Sequence, residues 1–142
     1  MSFKILLPVD GSEGSCRAAR YVAGLIALAN DLEVHLVNVQ SSGDDWRVRR
    51  VLKPEELVAM EKEWGEAAME PAQKILQAAG VKCIEHMVQG DVPQTIARLA
   101  RELGCNQIVM GTRGQSSLSG LLMGSVATKV LHLAEVPVTL VK

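Results

Sequence analysis

The residues best equipped for chemistry lie together near the end of the chain, where positions 106–127 read NQIVMGTRGQSSLSGLLMGSVA. A short apolar strand, Ile108-Val109-Met110, gives way to Gly111-Thr112-Arg113-Gly114-Gln115-Ser116. After residues 117–123, Gly124-Ser125-Val126 opens an amphipathic run that reaches Ala134. A strand, a glycine turn and a helix start together make a phosphate site. Glycines let the backbone come close and turn through positive φ. N–H groups at a helix start, aligned with the helix dipole, favour an anion. The hydroxyls of Thr112, Ser116, Ser117 and Ser125 and the guanidinium of Arg113 add donors. The competing reading is a tight structural turn with no ligand.

A second polar turn, Pro8-Val9-Asp10-Gly11-Ser12, follows the first apolar run. Asp10 is a candidate to hydrogen-bond a nucleotide, or to hold a water on a Mg²⁺ that bridges phosphates, as hard-oxygen chemistry favours. Its competing role is a turn residue at the start of the first helix.

The spacing of the first stretch is specific: Gly111, two residues, Gly114, nine residues, then Gly124-Ser125. Set directly after an apolar strand, it resembles the nucleotide-binding signature of the universal stress protein family, in its ATP-binding branch. The resemblance covers the whole chain and is weakest around residues 41–54. It carries over to Pro8, Val9 and Asp10, to Val39, to Met110, Gly111, Thr112, Arg113, Gly114, Gln115 and Ser116, and to Gly124, Ser125 and Val126. The ligand it implies is ATP, with AMP or ADP as alternatives, accompanied by Mg²⁺. Pro8, Val9 and Val39 then offer apolar walls and backbone polar groups to an adenine. Gly111, Gly114 and Gly124 permit close approach to ribose and phosphates, and Arg113, Ser116 and Ser125 donate to phosphate oxygens. Gly90 and Asp91 resemble a turn bordering the adenine, and a plain helix cap explains them equally well.

The elements that must position these residues follow from periodicity. Residues 3–9 form a buried strand, with Pro8 marking its exit. Ser12 can cap a helix over residues 13–29, whose apolar face is Cys16, Ala19, Val22, Ala23, Ile26 and Ala29. Residues 33–39 alternate as a second strand. Residues 40–53, which include Trp46 and the basic WRVRR segment, have no period and read as a mobile loop. Pro54 suits a helix start, and Leu57, Met60, Trp64, Ala68, Ile75, Leu76 and Ala79 make a helical stripe that Pro71 should kink or split. Residues 81–88 form the third strand. Asp91 caps a helix carrying Ile96, Leu99, Ala100 and Leu103, which Gly104 stops. A last helix and a last strand, residues 136–141, end the chain.

Apolar strands alternating with helices imply one α/β domain, residues 1–142, built on a doubly wound parallel five-stranded sheet with helices on both faces. The resemblance adds the strand order 3-2-1-4-5 of the Rossmann-like, adenine nucleotide alpha hydrolase-like fold. In such sheets a ligand lies at the carboxyl ends of the strands where the order reverses, which is between strands one and four. The glycine stretch and the Asp10 turn meet there.

Composition narrows the partners. The formal net charge is −1 with no basic block, so nucleic acid is disfavoured as a main partner. No apolar run approaches a membrane span, the N-terminus does not read as a signal peptide, and the expected location is cytoplasmic. Cys16, Cys83 and Cys105 show no paired spacing, and His35, His86 and His132 suggest no metal cluster. Structural or surface roles are expected for all six. The resemblance also implies a homodimer through Val136-Pro137-Val138-Thr139-Leu140-Val141, an apolar strand at the sheet edge. An edge covered by the loop 40–53 is the competing arrangement.

Three functions compete. The first is a nucleotide-binding regulatory protein acting through partners or its own dimer. The second is an enzyme of the adenine-nucleotide hydrolase-like superfamily, but the serine-glycine-glycine phosphate loop of those enzymes is replaced here by Val9-Asp10-Gly11-Ser12. The third is a nucleotide-free stress protein, against which the intact signature argues. The stretch holds no His, Asp or Glu between Gly111 and Val126 to orient a water, so no catalytic residue is assigned. Any ATP hydrolysis should run far below the enzyme median of ~10 s⁻¹.

Overall fold

The computed structural model describes residues 2–29, 31–41, 51–112 and 123–142. Five strands, β1 (Phe3–Pro8), β2 (Leu32–Gln40), β3 (Cys83–Gln89), β4 (Gln107–Gly111) and β5 (Val138–Val141), form one sheet in the order β3-β2-β1-β4-β5. Every neighbouring pair is parallel. The helices between them are α1 (Glu13–Leu25), α2 (Pro54–Ala78), α3 (Val92–Glu102) and α4 (Ser125–Leu133). No described helix is long and apolar enough to cross a membrane.

The central strands are apolar at successive positions because both faces are covered. Ile5 and Leu7 of β1 join Val34 and Leu36 of β2 under α1 and α2. Leu6, Val37 and Ile108 point the other way and pack on α3 and α4. The alternation of one strand thus feeds two cores.

Several boundaries differ from the sequence reading, each for a local reason. The helix α1 ends at Leu25, where the Leu28 N–H bonds the Leu25 carbonyl in a tightened turn and Leu28 is left exposed. Its buried face is Ser15, Ala18, Ala19 and Val22, rotated from the expected stripe. The strand β3 begins at Cys83 because the Val81 N–H closes the end of α2 on Leu76. The strand β5 begins after Pro137, whose carbonyl accepts from the Ile108 N–H.

The helix α2 is not split by Pro71. The N–H that proline lacks would have met the carbonyl of Ala67, an exposed residue whose carbonyl water can satisfy. Met69, Ala72 and Leu76 hold the helix to the sheet on both sides of the proline. Burial of Met69 and Leu76, at roughly 1.5–3 kcal/mol each, offsets a proline cost of about 3 kcal/mol. The true stripe is Gly65, Met69, Ala72 and Leu76, and Trp64 is exposed. A Cβ at Gly65 would fall 2.6 Å from Met87 Sδ, the far end of an exposed, flexible side chain that can swing aside.

Cys105 is buried and Cys16 and Cys83 are half-buried, all three unpaired in disulfides. Burial pushes the Cys83 and Cys105 thiols up, the condition of inert cysteines. Structural or surface roles were expected for the histidines, and two of them meet. The register sets Val37 opposite His86, which brings His35 Nδ1 within 2.9 Å of His86 Nε2. His35 Nε2 lies 2.7 Å from Glu33 Oε1. With both rings neutral, His35 donates to Glu33 and accepts from His86. A proton added to each ring would set two N–H groups against each other.

Burial, and then the charge of His35, holds His86 below its ordinary value of 6.5. The hydrogen bond from His35 holds Glu33 below the usual carboxylate range. The unfolded chain therefore binds a proton at His86 more readily than the folded one. The stability so gained is full above about 6.5 and is lost as pH falls through the folded value. Urea midpoints will fall between about pH 7.5 and about pH 5, and His86→Gln will flatten that slope. An equal slope in the variant would show that the pair does not govern it.

Candidate functional site

The candidate site lies where the strand order reverses, at the carboxyl ends of β1 and β4. Ser12 caps α1 by accepting from the Ser15 N–H at 3.2 Å, which sets the helix directly behind the β1 turn. Asp10 is exposed at the mouth of this turn. Its Oδ1 accepts from the Ser12 N–H at 2.9 Å and from the Ser15 hydroxyl at 2.8 Å. Gly11, with φ of 83°, supplies the left-handed step that makes the turn possible.

Val9 is buried, and Pro8 beside it is buried as well. The Val9 N–H donates to the Val37 carbonyl at 2.8 Å, and its own carbonyl accepts from Asn38 Nδ2 at 2.9 Å. What Val9 retains for a ligand is the second lone pair of that carbonyl. Val39 is half-buried at the end of β2. Asn38, polar and buried in an otherwise apolar strand, was missed in the sequence, although a buried Asn among Val and Leu is itself a sign of a tied backbone.

On the other side, Met110 is buried in the sheet and Gly111 and Thr112 emerge half-exposed. The Thr112 N–H donates to Val141, and the Thr112 carbonyl accepts from the Gly124 N–H at 2.6 Å. This last bond brings the two described ends of the glycine stretch together. Arg113, Gly114, Gln115 and Ser116 lie outside the described residues, as does most of the segment expected to be a mobile loop, residues 42–50 with Trp46. Gly124 is half-exposed, Ser125 exposed and Val126 half-buried at the start of α4.

Gly111 is glycine for a reason the sequence did not reveal, and neither it nor Gly124 adopts a positive φ. At Gly111 a Cβ would stand 2.7 Å from the Gly14 carbonyl carbon and oxygen and 3.0 Å from its Cα. The first turn of α1 therefore occupies the space beside Gly111, a role additional to any ligand approach. Gly124 has φ −61° and ψ 154°, open to any residue. As the N-cap it has no side chain with which to cap α4, whereas Ser12 caps α1 and Asp91 caps α3. Gly14 was also missed. A glycine inside the first turn of a helix is costly enough to hint at close packing.

Asp91 accepts from the Gln94 N–H at 3.2 Å, so the helix cap accounts for it. Among the described residues no group of three His, Cys, Asp or Glu is placed to hold a metal ion. A single carboxylate, Asp10, does fit Mg²⁺, which favours phosphates and water with one or two carboxylates over an all-protein cage.

This fold has counterparts among known proteins. The model of the universal stress protein family matches residues 1–142. Universal stress protein MJ0531 of Methanocaldococcus jannaschii is 33% identical over 139 residues, which span 98% of this chain and 81% of that one. The structure of protein MJ0577 superposes with a TM-score of 0.84 at 31% identity, covering 100% of this chain and 96% of that chain. The universal stress protein of Archaeoglobus fulgidus, solved with dAMP, has a TM-score of 0.70 at 23% identity over 100% of this chain and 98% of that chain. With the family model matched over residues 1–142 and a 33% identical relative aligned over 98% of the chain, this chain belongs to the universal stress protein family.

Proposed function

We propose that this chain binds an adenine nucleotide in the crevice between Asp10 and the start of α4, and serves as a regulatory module. ATP is the form the glycine spacing favours, with AMP and ADP as alternatives. The observation that carries the reading is the start of α4. Among the described residues no side chain caps its first N–H groups, Gly124 adds no bulk, and the Thr112 carbonyl holds it beside the exit of β4. An anion there meets both the amides and the helix dipole. The dAMP held by the Archaeoglobus fulgidus relative supports the same ligand class. When Mg²⁺ is bound with the phosphates it neutralises their charge. Asp10 is the residue that would hold it, through water.

Asp10 lies on the β1 side, its Oδ1 held by Ser12 and Ser15, which favours binding over turnover. Native mass spectrometry of the purified protein will show the mass of an adenine nucleotide. A protein that carries none and takes up none on titration would reject the reading.

The module is proposed to act as a homodimer through β5. Among the described residues this strand pairs only with β4 and ends the sheet. Its four residues are all half-buried, and no charge interrupts Val136 to Val141. An edge of this kind is a pairing template, and a two-fold axis closes it. Leu140→Pro removes one N–H from the ladder. Sedimentation equilibrium at about 20 μM will show a wild-type dimer and a weakened variant. A monomeric wild type would dismiss the interface.

A further inference from the structure

Resting on the nucleotide reading above, we propose that Ser15 is a positioning residue of the site, acting through Asp10. Ser15 occupies the core-facing side of α1 with Ala18, Ala19 and Val22, and is only 6% exposed. A hydroxyl at such a position costs free energy unless its bonds are made. All of them are made toward one turn. The Ser15 hydroxyl donates to Asp10 Oδ1 at 2.8 Å. It accepts from the Asp10 N–H at 3.0 Å and from the Ser12 hydroxyl at 3.3 Å. One donor and two acceptor sites exhaust what a serine offers.

Two of these three bonds go to the same residue, one to its backbone and one to its carboxylate. Asp10 is exposed, and an exposed Asp would ordinarily sample several rotamers. Held at both ends, its carboxylate has one orientation before any ligand arrives, which lowers the ordering cost of binding. The bonds are not needed to cap the helix, because Ser12 already accepts from the Ser15 N–H. The neighbouring residue completes the device. Gly14 abuts Gly111 so closely that no Cβ fits between them. The first turn of α1 thus holds Asp10 on one side and the exit of β4 on the other, and sets the spacing of the two strand ends.

The test is titration of a fluorescent ATP analogue into wild type, Ser15→Ala, Ser15→Thr, Asp10→Asn and the Asp10→Asn/Ser15→Ala double variant. Ser15→Ala should weaken binding about tenfold. Ser15→Thr, which keeps the hydroxyl, should stay within about threefold of wild type. In the Asp10→Asn background the Ser15→Ala change should matter by less than about twofold, because the two residues act as one unit. Circular dichroism verifies that each variant is folded. Exchange of the Asp10 amide in the nucleotide-free proteins reads the contact directly and should be faster in Ser15→Ala. Wild type that binds, together with Ser15→Ala of equal affinity, additive losses, or an unchanged Asp10 exchange rate, overturns the positioning role alone. Wild type that does not bind overturns the nucleotide reading and this role with it.

Discussion

Replacing Gly111 with alanine will cost the fold about 3 kcal/mol, the upper range for forcing an atom into a packed interior. The added Cβ would lie 2.7 Å from the Gly14 carbonyl carbon and oxygen. Both belong to backbone, so no side chain can swing aside. Relief requires α1 to retreat from β4. Its first turn also carries Ser12 and Ser15, which bond Asp10, so retreat loosens the β1 turn as well. Urea unfolding should show a lower midpoint with an unchanged slope, and the melting temperature should drop by roughly 10 °C for a chain of this size. The effect is structural and should appear with no nucleotide present. A loss smaller than about 0.5 kcal/mol, the range of an ordinary surface change, would show that Gly14 does not fill that space.

Gly124→Val should do the reverse, leaving stability nearly intact and abolishing nucleotide affinity. The backbone at Gly124, φ −61° and ψ 154°, is extended and suits valine. A poorer N-cap residue costs up to about 1 kcal/mol. The isopropyl group, however, would stand over the first amides of α4, where the phosphate is proposed to lie. Calorimetry should record at least a hundredfold loss, about 2.7 kcal/mol. Ser125→Ala is the control, since it removes a hydroxyl but keeps the amide. One neutral hydrogen bond is worth roughly 0.5–1.5 kcal/mol, or a loss of about tenfold at most. Equal affinities for wild type and Gly124→Val would move the phosphate away from α4.

Of these two glycines, Gly111 faces protein, and Gly124 is proposed to face the ligand. The spacing of Gly111, Gly114 and Gly124 announced an anion loop, but spacing cannot say which glycine faces a ligand and which faces protein. That distinction depends on how α1 packs against β4, which is a contact between residues 14 and 111.

The sequence by itself determined the architecture. Successive apolar residues in β1, β2 and β4 demanded cover on both faces, and the helical periods between strands supplied it. Caps were legible as well: Ser12 and Asp91 hold the helices they were expected to hold, because capping is local chemistry between residues three apart. Tertiary structure decided what depends on register and helix rotation. A rotation of the expected α1 stripe turned Ser15 inward toward Asp10. The β2–β3 register joined His35 to His86 across 51 positions of chain. Packing on the sheet carried α2 unbroken through Pro71, against the local preference of proline. Periodicity fixes which element forms, since neighbouring residues suffice for that. Which face meets which partner is settled only when distant elements pack, and the polar contacts of this site are made there.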